Sequence, residues 1–370
     1  MVADLRRYSR HLLMPEVGLD GQRRLGRARV LVVGAGGLGS PVLQYLAAAG
    51  VGRIGIVDDD TVDVTNLQRQ VIYAQPDVGR PKAATAARRV VDLNPHVAVD
   101  AYPVRLDAGN ARDLVRAYDV VVDATDTFGA RYLINDACRL EGKPDIYGSI
   151  FRFDGQVSVF GPDGPCYRCL FPQPPPEGTV PTCAEGGVLG VLAGLVGTWQ
   201  ANEALKLILG IGTALVGRLL LIDALSGRTR EVGFESDPSC ALHGAHATID
   251  AVVPMPDAPT AQPPRGIVEL DAAQLDAYLA EHPESYVLDV REPHESALGP
   301  APRGVALPAS VLMAHVKELD SAREYVVACR VGVKSAWALG QLEDAGFRRL
   351  KHLRGGLLAY AVARPEFEFF

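Results

Sequence analysis

Residues 28–60 read as a strand, a glycine turn, a helix and a second strand, and this order restricts the fold more than any other part of the chain. Val30–Val33 is an apolar, β-branched run, which is typical of a strand buried on both faces of a parallel sheet. Gly34, Gly36 and Gly39 then follow with G-x-G-x-x-G spacing. The segment is therefore predicted to be a nucleotide-binding βαβ unit. The motif alone leaves NAD, FAD and ATP open, as well as segments that bind nothing.

Each glycine of the turn has a distinct predicted role. Gly34 permits the tight turn, Gly36 lets the backbone approach a phosphate, and Gly39 lets the helix pack closely on the strand. The helix that follows directs its unpaired N–H groups and its positive dipole end at the phosphate. Asp58–Asp60 lie about 20 residues after Gly39, where a carboxylate reaches a ribose hydroxyl.

Composition excludes several classes of partner. A chain of 370 residues with 48% hydrophobic residues is long enough for two domains. Its net charge of −7 argues against nucleic acid and against an anionic membrane surface. The N-terminal residues do not resemble a signal peptide, so we expect a cytoplasmic protein. The apolar run Val188–Gly210 contains Gln200, Glu203 and Lys206, which favours a packed core helix over a membrane span.

The alternation of strands and helices predicts an α/β fold in two domains. From Asp145 onward, polar and apolar residues alternate around Asp154-Gly155, which predicts a type I′ hairpin and an antiparallel extension of the sheet. Five prolines in 252–265 indicate a linker. We therefore expect a nucleotide-binding domain at 1–250, a linker at 251–265 and a smaller α/β domain at 266–370.

Two cations lie near the glycine turn in the predicted fold. A triphosphate that loses pyrophosphate needs positive charge where negative charge accumulates, and Arg69 and Lys82 would supply it. A solvated charged loop is the alternative. Asp126 follows the strand Val120–Ala124, where a carboxylate could hold Mg²⁺, although it could equally cap the helix that starts near Thr127.

The cysteines suggest a metal site rather than disulfides. Cys166-x-x-Cys169 and Cys240-x-x-His243 match a Cys₃His zinc site, with His246 as an alternative fourth ligand. Cys183, in the segment TCAEGG, is either a loop nucleophile or a buried small side chain. Cys138 is assigned to the core.

Six motifs in order, GAGGLGS, DDDTVDVTNLQRQ, GRPKA, DATD, CYRC and TCAEGG, resemble the MoeB/ThiF family of ubiquitin-activating-like enzymes. That family adenylates the C-terminal glycine of small sulfur-carrier proteins. The resemblance covers roughly residues 5–245. It implies a homodimer in which Arg10 reaches into the partner's site, and it implies that Cys183 corresponds to the family's crossover-loop cysteine. The sequence departs from the family at the end of the zinc site, where His243 replaces the second cysteine of the usual Cys-x-x-Cys. The nucleotide-binding set then comprises Gly34, Gly36, Gly37, Gly39, Asp58, Thr65, Asn66, Arg69, Lys82, Asp126 and Thr127.

Cys329 is the candidate nucleophile of the second domain. It lies at a predicted strand end before a short loop and a helix, where backbone N–H groups stabilise a sulfur anion. Ser335 occupies the position at which a phosphatase loop carries arginine, which disfavours phosphate-ester hydrolysis. With LDVREP and LRGGL, residues 266–364 resemble a rhodanese domain, which implies a persulfide on Cys329.

The combined reading is a Rossmann-like α/β domain with a mixed sheet and a zinc site, followed by a smaller α/β rhodanese domain. We expect ATP- and Mg²⁺-dependent adenylation of a ubiquitin-like carrier ending in Gly-Gly. Sulfur from a cysteine desulfurase or thiosulfate would then pass through Cys329, directly or by way of Cys183, to give a thiocarboxylate. An NAD(P)-dependent oxidoreductase and a non-catalytic carrier-binding scaffold are the alternatives.

Overall fold

The computed structural model describes residues 5–174, 187–254, 263–297, 299–364 and 366–367, which form two compact units. The described part of the first unit ends at residue 254, and that of the second begins at 263. Within these residues, no helix is long and apolar enough to cross a membrane. The proposed bounds 1–250 and 266–370 stay predictions.

The first unit contains an eight-stranded mixed sheet in the order β3-β2-β1-β4-β5-β6-β7-β8. β3, β2, β1, β4 and β5 run parallel, and β6 to β8 extend the sheet antiparallel, as predicted. The α/β class with a mixed sheet is thus confirmed. The strands are β1 Arg29–Val33, β2 Arg53–Val57, β3 Ala98–Tyr102, β4 Val120–Asp123, β5 Asp145–Phe151, β6 Asp154–Phe160, β7 Arg218–Asp223 and β8 Arg228–Gly233.

Helices cover both faces of this sheet, so the central strands β1 and β4 are almost wholly buried. The parallel strands are linked by helices, as βαβ crossovers require. The described helices of the unit are α1 Ser9–Leu12, α2 Gly18–Leu25, α3 Gly39–Ala49, α4 Lys82–Leu93, α5 Ala111–Arg116, α6 Phe128–Leu140, α7 Tyr167–Leu170 and α8 Gly190–Leu209.

The longest helix, α8, is the apolar run that the sequence assigned to the core. Its polar residues have internal partners: Gln200 Nε2 donates to the carbonyl oxygens of Asp123 (2.6 Å) and Ile146 (3.0 Å). Glu203 accepts from the Leu215 N–H and pairs with Lys206 at 2.6 Å. These bonds offset part of the cost of burying the polar groups, although Gln200 Oε1 has no partner among the described residues.

The hairpin between β5 and β6 differs from its prediction. Phe151 pairs with Asp154, so the turn is Arg152-Phe153 and not Asp154-Gly155. Arg152 takes the left-handed conformation, with φ of 53°. Gly155 lies within β6. It is a glycine there because a Cβ would stand 2.5 Å from a methyl group of Val196 on α8. The glycine provides space for a helix rather than a turn.

The second unit has a five-stranded parallel sheet in the order β11-β10-β12-β13-β9. Its strands are β9 Val268–Leu270, β10 Tyr286–Asp289, β11 Gly304–Ala306, β12 Tyr325–Ala328 and β13 Leu350–Leu353. Its described helices are α9 Leu275–Glu281, α10 Pro293–Ser296, α11 Leu312–His315, α12 Val333–Asp344 and α13 Gly356–Ala363. Two apolar clusters fill the two faces of the sheet, as an α/β domain requires.

Two glycines of α8 should respond oppositely to alanine. A Cβ on Gly197 would lie 2.3 Å from the Leu38 carbonyl oxygen, whereas one on Gly194 would meet nothing within 4 Å. We expect Gly197→Ala to lower the free energy of unfolding by about 1–3 kcal/mol. Gly194→Ala should leave it unchanged or raise it by up to about 1 kcal/mol through helix propensity.

Urea unfolding in a Trp337→Phe background measures this difference, because Trp199 on α8 is then the remaining tryptophan. Equal stability of the two alanine variants would contradict the close approach of α8 to residue 38.

Candidate functional sites

A cavity of about 520 Å³ opens at the carboxyl ends of the central strands of the first unit, where α/β sheets usually bind ligands. Most of the predicted nucleotide-binding set lines it. Four predicted residues are not part of its lining: Gly39, Thr65, Asn66 and Arg10, of which Arg10 lies exposed on α1. The lining members are Gly34, Gly36, Gly37, Asp58, Arg69, Lys82, Asp126 and Thr127.

The glycine turn forms one wall of the cavity. Gly34 has φ of 93°, and a Cβ on it would lie 2.6 Å from the Ala124 carbonyl oxygen. A Cβ on Gly39 would lie 2.1 Å from the Gly34 carbonyl oxygen, so α3 starts in direct contact with the turn. At Gly36 the nearest atom would be 3.5 Å away. The absent side chain of Gly36 therefore exposes backbone to the cavity, as a phosphate cradle requires.

Asp58 follows β2 and is bonded to the turn. One carboxylate oxygen accepts from the Ala35 N–H (2.8 Å) and the other from the Asp60 N–H (3.0 Å). Burial raises the pKa of Asp58, while the Ala35 N–H and the charge of Lys82 oppose this rise. Each oxygen keeps a further lone pair, so this carboxylate is suited to accept bonds from ribose hydroxyls.

The two predicted cations are held at the cavity by separate contacts. Lys82 is the first residue of α4, its side chain is buried, and its Nζ lies 2.9 Å from Asp60. Arg69 donates from a guanidinium nitrogen to the Thr65 carbonyl oxygen at 3.1 Å. Asn66 Oδ1 accepts from the Asp63 N–H and closes the short turn Val64–Asn66. Thr65 and Asn66 thus shape the segment that carries Arg69.

The loop after β4 separates the two roles considered for Asp126. Thr127, not Asp126, caps α6, since its Oγ1 accepts from the Ala130 N–H at 3.3 Å. Asp126 is exposed at the cavity, a position that suits a metal-binding carboxylate. Below it, Asp123 Oδ1 accepts from the backbone N–H and the hydroxyl of Thr125. Burial raises the pKa of Asp123.

Two cavity residues were not among the predicted site residues. Gln70 and Arg131 are buried side chains that line the cavity. Gln70 Oε1 and Arg131 Nε have no hydrogen-bond partner among the described residues. The Arg131 guanidinium lies 5.3 Å from the Phe128 ring centroid and 5.6 Å from that of Tyr147. Buried polar atoms without partners at a cavity wall fit a polar ligand such as a nucleotide.

Three cysteines and a histidine form a second cluster in this unit. The ligand atoms of Cys166, Cys169, Cys240 and His243 all lie within 4.8 Å of one another. The Cys166 sulfur lies 3.9 Å from that of Cys169 and 3.7 Å from that of Cys240. Tetrahedral zinc would place its sulfurs roughly 3.8 Å apart, so the donor set and its spacing fit zinc. His243 completes the cluster, and His246 is exposed.

In the second unit, Cys329 is the first residue of the loop between β12 and α12. Its sulfur accepts from the Gly332 N–H (3.2 Å) and lies 3.5 Å from the Ser335 hydroxyl. The first N–H groups of α13 bond the other side of the loop, because Leu357 N donates to the Cys329 carbonyl oxygen at 2.9 Å. A Cβ on Gly356 would stand 2.5 Å from that carbonyl oxygen. The absence of a side chain on Gly356, the first residue of α13, therefore allows the helix to pack against the loop.

Two other predicted cysteines differ in position. Cys138 is buried in α6, as predicted, and its burial raises its thiol pKa well above the usual range. Cys183 lies outside the described residues. Of the catalytic candidates, the structure brings Arg69, Lys82 and Asp126 together at one cavity.

The relatives of this chain carry the same two regions. The ThiF family profile matches residues 8–242, and the rhodanese-like domain profile matches residues 271–363. A probable adenylyltransferase/sulfurtransferase MoeZ of Mycobacterium tuberculosis is 45% identical over 97% of this chain and 93% of its own length. The sulfur carrier protein adenylyltransferase of Thermus thermophilus is 57% identical over 66% of this chain and 93% of its own.

A crystal structure of E. coli MccB has a similar fold, with a TM-score of 0.58 at 21% identity, over 64% of this chain and 74% of that one. This likeness concerns the fold alone. The family profile covers more than half of the chain, and the MoeZ similarity extends through both units. The chain therefore belongs to the ThiF family and carries a rhodanese-like domain after its ThiF region.

Proposed function

We propose that this protein adenylates the C-terminal glycine of a small ubiquitin-like sulfur carrier and then transfers sulfur to it. The main support is the cavity in which Arg69 and Lys82 lie beside the glycine turn, because two cations suit a triphosphate better than a dinucleotide. The names of the MoeZ and Thermus relatives agree with both halves of the reaction.

The first step activates a carboxylate. A carboxylate oxygen of the carrier attacks the α-phosphorus of ATP, the bond from that phosphorus to the bridging oxygen breaks, and pyrophosphate leaves. The nucleophile is already ionised, so the site needs no strong general base. Arg69 and Lys82 stabilise the charge that develops on the phosphates, and Asp58 holds the ribose. Arg10 of a second subunit completes the cation set in the proposed homodimer.

Asp126 is the proposed Mg²⁺ ligand. It would bind the ion by a carboxylate oxygen, with phosphate oxygens and water completing the shell, and Thr127 is the adjacent nucleotide contact. The ion neutralises phosphate charge when bound. ATP and Mg²⁺ are thus the proposed substrate and cofactor of the first unit, and Zn²⁺ is the proposed structural ion of the Cys₃His cluster.

The second step uses Cys329. Its thiolate takes a sulfur atom from a desulfurase persulfide or from thiosulfate, which releases a thiolate or sulfite. The terminal sulfur of the resulting persulfide attacks the acyl-adenylate carbonyl carbon, and AMP leaves. A thiol, either Cys183 or an external reductant, then cleaves the acyl disulfide to release the carrier thiocarboxylate. We place this chemistry in the cytoplasm, where thiols stay reduced.

Loss of Arg69 tests the adenylation step. We expect Arg69→Ala to lower carrier-dependent ATP–pyrophosphate exchange by about 10²- to 10³-fold, because it removes charge stabilisation at the phosphates. Arg53→Ala is the matched control. Arg53, the first residue of β2, pairs with Asp100, and neither residue lines the cavity, so its loss should change the exchange little. Tight NADH binding without any exchange would instead favour the oxidoreductase. An unchanged rate of thiocarboxylation in Arg69→Ala would favour the scaffold.

The metal cluster predicts different behaviour for two nearby histidines. We expect His243→Ala to weaken zinc binding by at least the roughly 10–100-fold that loss of an outer-shell partner causes. His246→Ala should retain zinc, because His246 is exposed outside the cluster. Zinc content after dialysis against a graded chelator measures both. Retention of zinc by His243→Ala together with its loss in His246→Ala would reassign the fourth ligand.

Thiosulfate:cyanide sulfur transfer tests Cys329. We expect Cys329→Ser to abolish the transfer, because the sulfur that carries the persulfide is gone. Cys138→Ala, at a buried cysteine of the other unit, should retain it. Activity that survives Cys329→Ser would show that another thiol carries the sulfur.

A further inference from the structure

A chain of buried polar contacts leads from Cys329 to the edge of the second sheet. The Cys329 sulfur lies 3.5 Å from the Ser335 hydroxyl, and that hydroxyl lies 3.0 Å from His352 Nε2. On the other side of the imidazole, Nδ1 lies 2.9 Å from a carboxylate oxygen of Glu269. Cys329, Ser335 and His352 are all almost fully buried. Cys329 is thus connected to a carboxylate through a hydroxyl and an imidazole.

These four residues come from four different elements. Glu269 and His352 are register partners on β9 and β13, and β13 in turn pairs with β12, which ends just before Cys329. Ser335 is in the first turn of α12. No local sequence motif joins them, because 83 residues separate Glu269 from His352.

The acceptors around the imidazole determine where its protons lie. The Glu269 carboxylate only accepts when ionised, so Nδ1 carries a hydrogen. Nε2 faces two oxygens, the Ser335 hydroxyl at 3.0 Å and the Gly332 carbonyl at 3.1 Å. The neutral imidazole therefore has its lone pair on Nε2, where it can accept a proton from the Ser335 hydroxyl. The Ser335 hydroxyl also donates to the Gly332 carbonyl oxygen at 2.9 Å. Once Nε2 is protonated, the imidazole can donate to that carbonyl instead, which leaves the Ser335 O–H able to donate to the Cys329 sulfur.

We propose that Ser335, His352 and Glu269 form a proton relay that stabilises the sulfur anion of Cys329. The proposal rests on the sulfur transfer proposed above. As the Cys329 thiol ionises, its proton passes to Ser335 Oγ while the Ser335 proton passes to His352 Nε2, which gives a thiolate and an imidazolium. The thiolate then takes up sulfur. When the persulfide bond is later cleaved, the same O–H donates to the departing Cys329 sulfur. Ser335 touches the reacting atom, and His352 and Glu269 are positioning residues.

Other charged groups near the relay have their own contacts. Lys334, the neighbour of Ser335 on α12, pairs with Glu295 at 2.9 Å. Lys351 lies 5.2 Å from the Tyr278 ring centroid. Arg354, after β13, pairs with Asp271 and also interacts electrostatically with Glu269. Arg330 follows Cys329 in the loop. Glu269 is the carboxylate in contact with the imidazole.

The pH dependence of thiolate formation tests the relay without requiring activity. The ultraviolet thiolate absorbance of each variant is measured against the same variant carrying Cys329→Ser, which cancels the other cysteines. We expect Ser335→Ala and His352→Asn to contain roughly tenfold less Cys329 thiolate at neutral pH, with the titration displaced by about one pH unit. Glu269→Gln should shift it in the same direction by less, because its amide oxygen still accepts from Nδ1.

His315→Asn is the matched control. His315 also pairs with a carboxylate, Glu318, at 2.7 Å, but this pair is exposed and lies outside the relay. Its titration should match that of the unmodified protein. Ser335→Thr, which keeps the hydroxyl, should restore most of the profile lost in Ser335→Ala. If His352→Asn does not fold, the comparison of Ser335→Ala with Ser335→Thr tests the relay instead.

Superimposable titrations of Ser335→Ala and the unmodified protein would overturn the relay. This outcome differs from failure of the proposed function. A protein without thiosulfate:cyanide transfer, but with a titration that depends on Ser335 and His352, would retain the relay and lose the sulfurtransferase assignment. Full transfer with unshifted titrations would do the reverse.

Discussion

The first unit depends on the contact between Gly39 and the Gly34 carbonyl, because it brings the start of α3 against the end of β1. Neither glycine tolerates a side chain: a Cβ on Gly39 would overlap that carbonyl, and one on Gly34 would overlap the Ala124 carbonyl. The end of β1 is thereby in direct contact with the start of α3 and with the loop after β4. The turn lines the cavity, and Asp58 after β2 bonds to it at the Ala35 N–H.

Both units use the same physical arrangement for different chemistry. In each, a parallel strand ends in a short loop, a glycine with positive φ turns the chain, and a helix begins. In the first unit the loop exposes backbone to the cavity at Gly36, and in the second the Gly332 N–H points at the Cys329 sulfur. In the function proposed above, backbone dipoles that are fixed before a ligand arrives would stabilise negative charge in both units, which costs no reorganisation during the reaction.

Gln200 shows how a polar residue in an apolar helix marks that helix as part of the core. Gln200 lies in an apolar helix, yet it donates to carbonyl groups of β4 and β5 and fills the space that Gly148 leaves. Its presence excluded a membrane span in the sequence and joins a helix to the sheet in the structure. The prediction of a turn at Asp154-Gly155 is wrong because it ignored a distant contact. A dipeptide typical of turns was read locally, whereas Gly155 is required by a methyl group of Val196 on α8, 41 residues later in the sequence.

The sequence by itself determined the order of strands and helices, the glycine turn, the mixed sheet and the three cysteines of the Cys₃His cluster. These depend on short-range patterns: periodicity, turn residues and ligand spacing. Only the tertiary structure decided that Thr127 caps α6, that Gln70 and Arg131 reach the cavity, that His243 and not His246 completes the cluster, and that Glu269 and His352 stand behind Cys329. Each of these depends on which elements pack together, and packing joins residues whose separation along the chain carries no signal.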